Sequence, residues 1–531
     1  MKRPWWIAAL LGACSLYTPD AGDSAGSLPD PREAENVRFD SLVDAYLAGY
    51  RATYPVRATR QGVHDFDARF GVLSRAAFDL RAGHLRGYLE RLLRVDAAAL
   101  RAERRRDARL LRHRLEAEIL ELEGLRRWQR DPTFYTGLLR DGLLPLALVP
   151  TGPPERRLAR IIDRLEQVRD VVFAARENLE GFPRIRAEAA LDDLSELRDF
   201  VRAGLPALFP RELDPSVRPR FERAQKGALQ AFDELADRVS TALSEAGPGS
   251  FAWGEDLLRA RLLHEEMIEE PLDDLLRVLE SEIPRARQER RDAVEKSDRA
   301  PDLARRVEDL RRRSDEIVPV PPDDPGLVSV EPPWNRPMAP PLELFAPGPF
   351  EGDRFRSTLL AALPGSPGAA ETVSVLHFLA RETYPGRHVY SLYLSAGPSK
   401  LRAAFPSRAL ADGWAHEAAR HAAGAPDLLE LCRGVAALRM HARGMTLAEA
   451  AAFLAREAAL PPAVAEREAR RAALDPEIFL GIWASLQIRS LRNDVAARSE
   501  LSGREFHRVL LSQGGAPLPL LREILLGGAP P

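Results

Sequence analysis

From Phe39 onward the apolar positions fall three and four residues apart: Phe39, Leu42, Val43, Tyr46, Leu47 and Tyr50. That spacing lays one apolar stripe along a helix, and Pro55 breaks it. The pattern returns over Leu80 to Leu93, Leu100 to Leu125, Glu155 to Leu179, Ile185 to Leu205 and Arg218 to Ala246. Glycine and proline separate most of these runs, as at Gly181-Phe182-Pro183 and Gly247-Pro248-Gly249. Leu257 to Ser314 reads as one or two further long helices around Pro284. No internal repeat of fixed period is present.

The helical pattern stops where prolines crowd between Pro319 and Pro341. Proline removes a backbone donor and fixes φ, so this stretch is not helix. Leu327 to Val330 and Leu342 to Phe345 are short β-like runs, enough for a small edge sheet. Helices resume near Ala369 and continue to Leu526. The expected fold is all-α, mainly long helices with a small β element. The expected organisation is an N-terminal helical region (37–315), a proline-rich crossing (316–345) and a C-terminal helical region (346–531).

Composition narrows the class. The 531 residues are 45% hydrophobic and 29% charged, as in globular chains. A formal net charge of −3 gives no bulk attraction to nucleic acid, and no nucleic-acid partner is expected. The cations are almost all Arg; Lys occurs only at Lys2, Lys226, Lys296 and Lys400. Two cysteines, Cys14 and Cys432, exclude a disulfide framework. Cys432 lies in an apolar helical context and reads as a core thiol.

Cys14 has a different setting. Lys2 and Arg3 precede a nine-residue apolar run from Trp5 to Ala13, too short to cross a bilayer core of about 30 Å. The run closes on Leu11-Gly12-Ala13-Cys14, which resembles a bacterial lipobox. The expectation is a lipoprotein signal peptide (1–14) with Cys14 lipidated, then a Gly-, Ser-, Pro- and Asp-rich tether (15–36). The membrane would be met through that anchor, in the cell envelope, at the outer membrane facing the periplasm.

The chemistry concentrates in Arg381-Glu382-Thr383-Tyr384-Pro385-Gly386-Arg387-His388, which follows an apolar helical run, Val373 to Leu379. A zinc hydrolase needs imidazoles or carboxylates to hold the metal and a carboxylate to take a proton from its water. This stretch resembles the His-Glu-x-x-Pro-Gly-His signature of the bacterial family called domain of unknown function 885. Further segments carry the resemblance over nearly the whole mature chain. They are Phe39 to Tyr50 with Pro55, Ala58-Thr59 and Gly62-Val63-His64-Asp65; Asp412-Gly413-Trp414-Ala415; His441; and Phe506-His507, Leu510 and Gly514 to Leu518. The resemblance implies a helical zinc-peptidase-like fold with a deep central cleft, in a family whose members are often lipoproteins.

The departures from the signature matter more. Its two histidines are Arg381 and Arg387 here, the Glu expected as third ligand is Asp412, and Ala437 and Tyr390 replace further polar positions. Only Glu382, the general-base position, and the framework Tyr384-Pro385-Gly386 remain. A guanidinium is always protonated and has no lone pair for a metal. No cofactor is therefore expected, and Arg381 and Arg387 are expected to pair with Glu382 and Asp412 instead. The remaining cleft candidates are Tyr384, His388, Trp414, His416, His441 and His507, with Trp414 and His507 also serving the core. His416 and His421, five apart, read as two surface histidines on an Ala-rich helix.

Three readings follow. The first is a noncatalytic relative that binds a peptide or a partner protein in its cleft. The second is an active metal-dependent hydrolase with zinc relocated to His388, His416 or His441 and Glu382 as base. The third is a structural periplasmic scaffold.

Overall fold

The computed structural model describes residues 31–245, 250–294, 303–332, 334, 342–361, 375–424 and 428–527. The signal segment, Cys14 and residues 15–30 lie outside these. The fold is all-α with one small sheet. Among the described residues, no helix is long and apolar enough to cross a membrane.

The first helix runs Pro31–Thr53, so the end of the expected tether is helical. Docking explains the correction. Asn36 is 1% exposed, its Oδ1 accepts from Arg101 N at 3.1 Å, and Glu35 Oε1 accepts from Asp96 N at 2.8 Å. The runs at Arg75–Leu93, Ala102–Ile119, Pro154–Asn178, Arg184–Asp199 and Arg218–Glu245 fold as helices. The span 257–314 holds three: Glu255–Glu266, Leu272–Val294 and Leu303–Ile317. Pro284 lies inside the second rather than between two.

Packing does not respect a boundary at 315. One core joins the helices Pro31–Thr53, Arg75–Leu93 and Ala102–Ile119 and takes in Leu401 and Ala404 from the C-terminal region. The largest core, built on the C-terminal helices, draws in Leu258, Leu262, Leu275, Leu279 and Leu310. A third core gathers the helices between Thr133 and Glu245.

The sheet lies at the crossing. Strands β1 (Leu327–Val330) and β2 (Leu342–Phe345) flank a third, β3 (Ser357–Ala361), which runs parallel to β1 and antiparallel to β2. β3 falls within the region expected to be helical. It is central and buried at all five positions, so it shows no alternation to mark it as a strand.

Helices Arg408–Ala423 and Leu480–Ala496 pack face to face beneath the candidate site. A Cβ on Gly413 would lie 2.5 Å from Ala484 Cβ, so only glycine permits this approach.

Candidate functional site

The helix Val375–Glu382 ends at the turn Thr383 to Gly386, and the helix Arg387–Ser395 starts directly after it. The Tyr384–Pro385 peptide is cis. A Cβ at position 386 would fall 2.1 Å from Arg381 O, so the turn closes only around glycine. Trp414, fully buried, donates from Nε1 to Pro385 O (2.9 Å) and Gly386 O (3.3 Å). Its indole therefore pins the turn and does not face a ligand.

The turn brings the charges together. Arg381 Nε donates to Glu382 Oε1 at 3.1 Å, and its Nη1 donates to Glu430 Oε1 at 3.3 Å. Arg387 Nε lies 3.2 Å from Glu382 Oε2, and its Nη2 lies 2.7 Å from Asp412 Oδ1. Arg408 Nε reaches Asp412 Oδ2 at 3.3 Å. Farther on, Arg433 bridges Glu430 (2.6 Å) and Glu468 (2.5 Å), and Arg408 bonds Asp475. The result is an alternating row of carboxylates and guanidiniums across several helices. The expected pairing of Arg381 and Arg387 with Glu382 and Asp412 is present.

Electrostatics follow from this row. Burial alone would raise Asp412, but Arg387 and then Arg408 and Arg381 outweigh it and hold the carboxyl at about 2. Burial likewise opposes ionisation of Glu430, yet Arg433 and Arg381 hold it far below the usual range. Glu266 differs. Burial, with Glu477 and Glu265 nearby, pushes it up to about 8 against the bond from Ser407. It accepts from Ser407 Oγ (2.5 Å) and Arg408 N (2.9 Å), so it caps the helix that carries Asp412.

These residues do not fit a zinc ion. Two of the four side chains at the motif are guanidiniums, which are cations without a lone pair. Both motif carboxylates, Glu382 and Asp412, already have arginine partners on each of their two oxygens.

His388, His416 and His441 do not gather. His388 is held between Ser357 Oγ at Nδ1 and Asp324 Oδ1 at Nε2, both 2.9 Å. Tyr384 Oη donates to the other oxygen of Asp324 at 2.6 Å. Burial of Asp324 is outweighed by the bonds from His388 and Tyr384, and its carboxyl sits at about 2. Ser357, His388 and Asp324 have the connectivity of a nucleophilic triad. Their side chains are at most 2% exposed, and the arrangement ties β3 to the motif. His441 accepts at Nδ1 from Trp253 N (3.3 Å), contacts Ala473 O, and burial lowers it to about 4. His507 contacts Ile317 O at 3.0 Å and stacks edge-on against Trp414. His416 is buried near Asp412 and Glu430, where it favours their charged forms. Among the described residues, no metal-sized group contains His388, His416 or His441.

A cavity of about 590 Å³ opens beside the row. Its wall combines Tyr50, Arg57 and His64 from the N-terminal region, Glu343 to Phe345 of β2, and Arg387 and Tyr390. Tyr384, His388, Trp414, His416, His441 and His507 do not line it. Those expected cleft residues are instead buried within the core. Tyr390, at a departed signature position, has a buried hydroxyl without a hydrogen-bond partner. Arg57 reaches Tyr50 Oη at 3.0 Å. Sequence reasoning missed Glu430, Glu266 and Asp324. Only Asp324 carried a local signal, the turn Asp323-Asp324-Pro325-Gly326, in which Gly326 N donates to Asp324 Oδ1 at 2.8 Å.

Fold and site together define an all-α protein whose motif turn is neutralised by arginine beside a mixed-charge cleft. The family described as "Bacterial protein of unknown function (DUF885)" matches residues 55–321 and 299–525, and the chain belongs to that family. Two solved structures share the fold. One, from Shewanella oneidensis, is described as a "putative lipoprotein of unknown function". It is 20% identical with a TM-score of 0.67, covering 92% of this chain and 99% of that one. The other, a "putative lipoprotein" from Colwellia psychrerythraea, is 14% identical with a TM-score of 0.72, covering 92% and 98%. No curated protein matches.

Proposed function

We propose that this chain is a noncatalytic, lipid-anchored binding protein of the bacterial cell envelope whose cleft takes an extended peptide segment. The carrying observation is the pair of guanidiniums, Arg381 and Arg387, seated on Glu382 and Asp412. Each oxygen of Glu382 already faces a guanidinium, and the donor set offers no place for a hydrolytic metal.

The peptide reading rests on β2. It pairs with β3 along one side and contributes Glu343, Leu344 and Phe345 to the cavity wall. An edge strand can add a further strand by main-chain hydrogen bonds. Arg57 and the Tyr390 hydroxyl supply donors on the same wall. The lipid anchor rests on the lipobox-like run ending at Cys14, and outer-membrane placement facing the periplasm rests on that anchor alone.

The test incubates the purified full chain with a mixed peptide library, with and without added zinc. Retention of peptides without cleavage in either condition is expected, with retention weakened by Arg57→Ala or by bulky substitution at Leu344. Zinc-stimulated cleavage that disappears in Glu382→Gln would overturn the noncatalytic reading. Failure to retain any peptide would overturn the ligand class.

A further inference from the structure

Two groups among the described residues have metal-ligand chemistry: Glu417, His421 and His507, and His113, Glu116 and His264. Charge decides between them. In the first, Arg420 Nη2 donates to Glu417 Oε1 at 2.6 Å and Arg489 lies 3.5 Å from Oε2. Arg420 and Arg492 each also approach His421 Nε2 at 3.4 Å. Three guanidiniums already hold the place of a cation, and a dication would meet their repulsion at close range.

The second group is built differently. His113 and Glu116 are one turn apart on the helix Ala102–Ile119, so they share a face. His264 comes from the helix Glu255–Glu266, which packs across it. One ligand atom from each residue lies within 4.8 Å of the other two. His264 Nδ1 sits 3.2 Å from Glu116 Oε2, and the two imidazole rings are 5.9 Å apart. Nδ1 of His113 is shielded from solvent and makes no hydrogen bond, and Nδ1 of His264, also shielded, faces only the Glu116 carboxylate. An unsatisfied buried nitrogen is costly unless something fills the space beside it. Arg112 donates to Glu116 Oε1 at 3.0 Å, which orients the carboxylate and leaves Oε2 toward the histidines.

We infer that His113, Glu116 and His264 form a binding site for a divalent transition metal of the zinc class, with water completing the coordination. Two imidazoles and one carboxylate suit zinc, which takes bonds of about 2 Å to such ligands. The site is independent of the motif at Glu382. Its position suggests a clip. Glu265, next to His264, pairs with Arg114 of the His113 helix at 2.9 Å, and Glu266 caps the helix bearing Asp412. A bound metal would lock the junction from which that cap is held.

The experiment titrates zinc chloride into the metal-stripped full chain, with cobalt(II) as an absorbing substitute. Wild type is expected to bind one metal tightly, to show cobalt bands of a nitrogen- and oxygen-ligated site, and to melt at a higher temperature with zinc. His113→Ala and His264→Ala should each weaken binding by at least about tenfold, since loss even of an outlying partner has that effect. His421→Ala and Glu382→Gln should leave it unchanged. Helical circular dichroism checks folding, and His113→Asn with His264→Gln replaces any alanine variant that fails to fold. No binding by wild type, or binding insensitive to both histidine changes, overturns the assignment. Loss of binding in Glu382→Gln would instead place the metal at the motif and overturn the noncatalytic reading as well.

Discussion

Replacing Arg387 by methionine destabilises the folded chain by about 3 kcal/mol, read as a lower urea midpoint at pH 7. The methionine keeps much of the side-chain volume and removes the charge that links Glu382 and Asp412. Breaking one partner of a buried pair costs roughly 3–5 kcal/mol, and Glu382 keeps Arg381 while Asp412 keeps Arg408. The guanidinium is 32% exposed, so solvent screening keeps the loss at the lower end of that range. Adding Asp412→Asn should recover part of it, because one stranded anion is then neutral. Additivity of the two losses would show that the pair is not coupled.

The acid limb tests the same contact. Asp412 is held at about 2, below its ordinary 3.8. A depressed folded value contributes stability that is present above the unfolded pKa and is lost as pH falls through the folded one. Wild type should therefore lose stability between about pH 4 and pH 2, with a shallower loss in Arg387→Met.

The second large effect is a gain. The triple change Arg381→His, Arg387→His and Asp412→Glu should convert the motif from no metal retention to about one retained zinc, measured in a His113→Ala background. It exchanges two cations for two neutral donors and lengthens the third ligand. Without metal the variant should be less stable than wild type, because Glu382 and Glu430 lose Arg381. Added zinc should restore that stability, since binding to the folded state alone shifts the equilibrium toward it. A triple variant that folds yet retains no zinc would mean that these positions do not converge on a metal.

Much of the helical fold is legible in the chain. Phe39 to Tyr50, the run after Glu155 and the run after Arg218 are amphipathic, and each is a helix. The failures have physical causes. Thr133–Leu148 is absent from the predicted helices and contains Gly137, Gly142 and Pro145. It is nevertheless a helix, because Leu139, Leu143 and Leu144 are buried in the core. Pro284 is exposed and its helix continues through it.

The candidate site is legible only as far as residue types allow. Arg381 and Arg387 are legible as residues that cannot ligate a metal. The partnership of Arg381 with Glu430 spans 49 positions, and no local pattern encodes it. The histidines mislead for a related reason. His388 and His441 have metal-ligand chemistry, but long-range partners at Asp324 and Trp253 consume that capacity.

We propose that guanidiniums take the electrostatic role of a metal at the motif turn. Crystals of the wild-type full chain soaked in zinc, with diffraction collected on both sides of the zinc absorption edge, decide the matter. No anomalous peak is expected within bonding reach of Glu382 or Asp412, with intact density linking both carboxylates to Arg381 and Arg387. A well-occupied peak bonded to either carboxylate, with the arginines swung aside, would contradict it.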